Sequence, residues 1–123
     1  MAGFGSWTLK AGIPHTHAPA ELLARTVTIR LHLDACGSEN GPMRVLPRSH
    51  AHGRLSPAEV NDWGARAAGL AVDCLVPTGG AVLMRPLILH SSAAATPAGH
   101  RRVIHLEYAS EDLPGRLDWH QRV

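Results

Sequence analysis

A chain of 123 residues with a hydrophobic fraction of 45% is long enough for one modest core, and its net charge of +2 is too small to mark a nucleic-acid surface. The Lys and Arg residues are scattered and aromatics make up only 4%, which also excludes a base-stacking platform. No apolar run approaches the roughly 18 residues that cross a bilayer, and Cys36 and Cys74 lack Cys-x-x-Cys spacing, so a single cytoplasmic domain over 1–123 with reduced, buried thiols is expected.

Residues 1–25 are rich in Gly, Pro and Ala and read as a loop, with one turn of helix after Pro19. RTVTIRLHLDA then alternates with period two. Val27, Ile29, Leu31 and Leu33 fall on one face, against Thr28, Arg30, His32 and Asp34 on the other. This is a strand whose polar set forms the wet face. Asn40-Gly41 supplies a turn, and MRVLP after it is a second strand, so the pair reads as a hairpin with a long loop. SPAEVNDWGARAAG predicts a helix over about 56 to 68: Ser56 caps it, Pro57 suits the first position, Glu59 completes a capping box and Gly69 ends it. GLAVDCLVP, a Gly79-Gly80 turn, AVLMRPLILHSS broken at Pro86, and RRVIHLEYA follow as short strands. Mostly strand with one helical insertion, the order predicts an all-β sandwich or barrel.

Two residues apart on a strand, His32 and Asp34 point to one side, and His90 from another strand could complete a two-His-one-carboxylate metal face. His-x-Asp is a short pattern with many chance matches, and spacing alone favours the wet-face reading. His90 is a stronger candidate. It closes the apolar run LILH, Ser92 follows two residues on, and Arg101 lies beyond a small-residue loop. An imidazole there can bind a metal while Ser92 and Arg101 hold a carboxylate, since the planar guanidinium grips a carboxylate through two hydrogen bonds. The ordinary reading of Arg101 or Arg102 is a solvated strand end.

Taken in order, LDACGSENGPMRVLPRSHAHG, VPTGGAVLMRPLILHSS and HRRVIHLEYA resemble the C-terminal part of the phytanoyl-CoA dioxygenase family, over about Trp7 to Trp119. The resemblance implies a double-stranded β-helix (a cupin-like jelly-roll), incomplete here at about six of eight core strands, with one inserted α-helix. It implies Fe(II) and 2-oxoglutarate as metal and cosubstrate, and a small-molecule substrate. Carried onto this sequence, it makes His90 the distal iron ligand and makes Ser92 and Arg101 the pair that binds the far carboxylate of 2-oxoglutarate. Pro47-Arg48-Ser49-His50 stands where the family has Pro-Gly-Ser-His, so Pro47, Ser49 and His50 shape a turn and Arg48 occupies the glycine position.

The family's iron-binding His-x-Asp precedes the part matched here, so the resemblance assigns His32 and Asp34 to a later strand. Trp119-His120-Gln121 echoes the absent motif, but Arg122 stands where Asp is required. The implied protein is a truncated or degenerate dioxygenase with one of three iron ligands, poor iron affinity, no catalytic residue of its own and an exposed sheet edge open to homo-oligomers. The alternatives are a non-catalytic small β-domain that binds a carboxylate ligand or a protein partner, and a rebuilt metal site using His32, Asp34 and His90 or the imidazoles of His15 and His17.

Overall fold

The computed structural model describes residues 4–67, 69–95, 99–115, 117–119 and 121–122. Its first element is one the sequence did not announce: strands β1 (Thr8–Lys10) and β2 (Ile13–His15) form an antiparallel hairpin. Ala11 and Gly12 between them both take positive φ, 49° and 80°, the geometry whose twist matches a two-residue hairpin. Pro19 opens the expected single turn, α1 (Ala20–Leu23).

Strand β3 (Thr26–His32) follows, then β4 (Met43–Val45), helix α2 (Pro57–Arg66), β5 (Val72–Cys74), β6 (Ala81–Met84), β7 (His90–Ser92) and β8 (Val103–Ala109). These six strands form two antiparallel sheets, with orders β6-β3-β8 and β5-β4-β7. The chain passes between the sheets repeatedly, which is the path of a partial, cupin-like double-stranded β-helix with one inserted helix. β3 and β4 are therefore not a hairpin. Thr28 pairs with Met84 on one side and Glu107 on the other, so both hydrogen-bonding edges of β3 are taken, and β4 goes to the second sheet.

The alternation of β3 is as expected, but its facing is reversed. Thr26, Thr28 and His32 are buried, whereas Leu33, Leu83, Ile104, Leu106 and Tyr108 are exposed. The polar set turns inward and the apolar set outward. An interior lined by Thr, Arg and His suits polar chemistry more than packing. Burial of apolar side chains centres instead on Leu22, Cys36, Met43, Leu46 and Val76. Cys36 and Cys74 are both free, and burial pushes the Cys74 thiol up, away from the reactive thiolate.

Helix α2 has the expected capping box. The Glu59 amide donates to Ser56 Oγ at 3.3 Å, and Glu59 Oε2 accepts from the Ser56 amide at 2.8 Å. No residue of α2 is buried, so it lies on the outside.

The turn after β4 shows why a glycine suits position 48. Arg48 has φ of 69°, in the left-handed region where a side chain is disfavoured. Arg48→Gly should raise stability by about 1 kcal/mol. Urea midpoints of the two proteins check it, and an equal or lower midpoint for the glycine variant would contradict it.

Candidate carboxylate and metal site

His90 and Ser92 alternate on β7 and share the face of Val45 and Met43 on β4, through the pairs Val45–His90 and Met43–Ser92. The His90 ring is fixed by Nδ1 at 2.8 Å from the Ile88 carbonyl, an arrangement in which Nδ1–H donates and Nε2 keeps its lone pair for a ligand. The strand carrying it is itself held from behind. Fully buried Ser49 donates from Oγ to the Leu46 carbonyl at 2.8 Å and accepts the Leu89 amide at 2.7 Å.

Arg101 comes from the segment leading into β8 and crosses to the other sheet. Its Nη1 donates to the Asn40 carbonyl at 3.2 Å and to the Gly41 carbonyl, and lies 3.4 Å from Ser92 Oγ. Among the described residues, Nε and Nη2 have no hydrogen-bond partner, so the guanidinium is anchored through Nη1 alone. The chain is tightly packed where Arg101 docks. Gly41 is buried with φ of 60°, and a Cβ there would sit 2.2 Å from the Ala93 carbonyl oxygen. His90 also borders an apolar groove of about 290 Å³ walled by Val45, Leu46, Val60, Ala67 and Leu89.

The rebuilt triad does not form. Asp34 is held by Arg102: Oδ2 accepts the Arg102 amide at 2.8 Å and Nε at 2.9 Å, and Oδ1 accepts Nη2 at 2.8 Å. These donors hold its carboxyl well below the usual carboxylate range, the guanidinium contributing most. Among the described residues no three His, Cys, Asp or Glu side chains gather at metal-binding distances, so His32, Asp34 and His90 do not come together as a triad. His120 lies outside the described residues, and Arg122 beyond it pairs with Asp112 and Asp118.

His32 has a place that sequence reasoning missed. It is only 5% exposed, on the inner face. Burial, and then the charge of Arg30, lower its proton affinity, so the ring is neutral near pH 7. Alternation grouped it with Thr28 and Arg30, but the polarity of that set pointed to solvent instead of the interior.

The Asp34 ion pair makes a pH prediction. Its pKa is lower in the folded chain than the value near 3.9 expected when unfolded, so its stabilisation is complete above about pH 5 and is lost as pH falls below about 4. Wild type should exceed Asp34→Asn in urea midpoint at neutral pH, with the gap closing on acidification. A gap independent of pH would show that the charge is not what matters.

Two antiparallel sheets, threaded alternately, with an arginine ahead of the last strand reaching a serine on the second sheet, make up a partial cupin-like β-helix. The family model for phytanoyl-CoA dioxygenase (PhyH) matches residues 11–103, most of the chain, and the chain belongs to that family. No curated protein matches it. No helix among the described residues is long and apolar enough to cross a membrane.

Proposed function

We propose that this chain is a degenerate member of the dioxygenase family that retains the family's 2-oxoglutarate seat. Arg101 and Ser92 bind the far carboxylate of the cosubstrate, and the apolar groove beside His90 receives part of a small-molecule substrate. The observation that supports this most directly is the half-anchored guanidinium, with Nη1 on backbone carbonyls, Ser92 Oγ at 3.4 Å and two nitrogens without a partner among the described residues.

The residues at hand do not fit an iron ion by themselves. His90 offers one imidazole, Asp34 is committed to Arg102, and a single neutral imidazole holds Fe(II) poorly. A working centre needs two further donors from outside this set. In the family, oxidative decarboxylation of 2-oxoglutarate to succinate accompanies hydroxylation of the substrate, and that chemistry is reserved for a protein with those donors supplied. Self-association through the exposed strand edges belongs to the same reading.

The capture of Asp34 by Arg102 also favours a second reading, a carboxylate-binding domain without catalysis. Both readings predict 2-oxoglutarate binding with iron chelated away. Arg101→Ala should weaken that binding by about 1.5–3 kcal/mol, and Arg101→Lys should recover only part, as a point charge cannot reproduce the fork. Isothermal titration in EDTA measures both, and unchanged binding by Arg101→Ala would refute the seat. Succinate produced by residues 1–123 alone would refute the incomplete centre. Succinate gained on supplying a His-x-Asp segment would separate the first reading from the second.

A further inference from the structure

Strand β8 is seven residues long and forms an edge of its sheet. Among the described residues it pairs with β3 alone, and Ile104 to Tyr108 are all exposed. An unpaired edge of that length is a template for another strand. The neighbouring strand fixes its phase. The Leu33 amide donates to the Arg102 carbonyl at 3.0 Å, and in an antiparallel ladder such hydrogen-bonded pairs recur at every second residue. Ile104, Leu106 and Tyr108 therefore turn their amides and carbonyls toward β3. Val103, His105, Glu107 and Ala109 turn theirs outward, to the open edge.

The outward groups belong to a sequence that complements itself. About Leu106, VIHLEYA sets His105 against Glu107 and Ile104 against Tyr108 at equal distances. When a second copy runs antiparallel with Leu106 opposite Leu106, His105 of each copy meets Glu107 of the other, Ile104 meets Tyr108 and Val103 meets Ala109. The phase of the edge is satisfied, because His105 and Glu107 are both positions whose backbone groups face outward. An imidazole N–H donates to a carboxylate whether or not the ring is charged, and aromatic side chains pair well with β-branched ones across strands. The two nearest registers of the same phase do worse. One sets His105 against His105 and Glu107 against Val103, and the other sets Glu107 against Glu107, where like charges repel.

We infer that β8 is a self-association edge, through which two copies of this chain pair β8 to β8 about a two-fold axis at Leu106 and form one six-stranded antiparallel sheet. The inference deepens the self-association included in the reading above and is independent of the Arg101 seat. The seam is about 23 Å long and belongs with the small interfaces, so the dimer dissociates on dilution.

Sedimentation velocity of the 123-residue chain over rising concentration should show a monomer–dimer equilibrium. His105→Glu sets two carboxylates at each contact, and Glu107→Lys sets an ammonium against His105; each should weaken dimerisation roughly tenfold. An equimolar mixture of the two variants should recover dimers, because the new glutamate of one faces the new lysine of the other while Glu107 and His105 remain opposed at the second contact. Recovery also shows that both variants are folded. His105→Lys, which keeps a cation opposite Glu107, should dimerise at least as well as wild type, and a weaker dimer overturns the register. A wild-type dimer that neither weakening substitution affects, or weakened variants that stay apart on mixing, overturns the β8 seam and leaves self-association to another edge. A wild-type chain that stays monomeric throughout overturns the seam and the self-association together, whereas the titration of 2-oxoglutarate in EDTA reads the Arg101 seat by itself.

Discussion

Ser49→Ala is expected to lower the unfolding free energy by about 2 kcal/mol, a large effect for one hydroxyl. Ser49 is fully buried, and its Oγ both donates to Leu46 and accepts from the Leu89 amide at 2.7 Å. Alanine leaves the Leu46 carbonyl with the Ser49 amide at 3.3 Å, but it leaves the Leu89 N–H with no acceptor in a place water reaches poorly. The cost extends to the site, since Leu89 immediately precedes His90. Urea unfolding followed by circular dichroism reads the stability, and the His90 ring signals read the displacement. A loss under about 0.5 kcal/mol would show that solvent replaces the hydroxyl at Leu89.

The other large effect belongs to Gly41→Ala. Its Cβ would lie 2.2 Å from the Ala93 carbonyl oxygen and 3.0 Å from two further backbone carbons, none of which belongs to a side chain that could swing away. The residue also holds φ at 60°, where any Cβ is disfavoured. Left-handed strain and overpacking together should cost about 2–5 kcal/mol. Relief requires moving either the segment after β7 or the Gly41 carbonyl that accepts from Arg101. Gly41→Ala should therefore weaken 2-oxoglutarate binding even in conditions where the chain stays folded. Binding and stability both equal to wild type would mean the Ala93 segment yields freely.

The order of short motifs let the sequence single out Ser92 and Arg101 as a pair and His90 apart from them, and the structure brings Arg101 within 3.4 Å of Ser92 across the two sheets. The capping box at Ser56 and Glu59 is local chemistry and was read directly. The errors arose where local signals stop. Alternation fixes the period of β3 but not which face is buried, and assigning polar residues to solvent fails when the interior is itself polar. The first hairpin turns on Ala11-Gly12, without Asn-Gly or Asp-Gly, and its second strand contains Pro14, so neither turn nor strand announced itself. Asp34 with Arg102 depends on β3 pairing with β8, which no local pattern specifies.

That pairing has a consequence for how the protein is made. β3 emerges from the ribosome early, yet Thr28 must wait for Met84 on one side and Glu107 on the other. Until β8 arrives, the central strand has an open edge, and such distant partners make the search slow and exposed to misassociation. Arg101 stands immediately before β8 and reaches its anchors only when that strand docks. The anchoring of Arg101 is thus among the last steps of assembly, and a ligand held at the seat proposed above would select fully assembled molecules, shifting the balance away from the half-built ones.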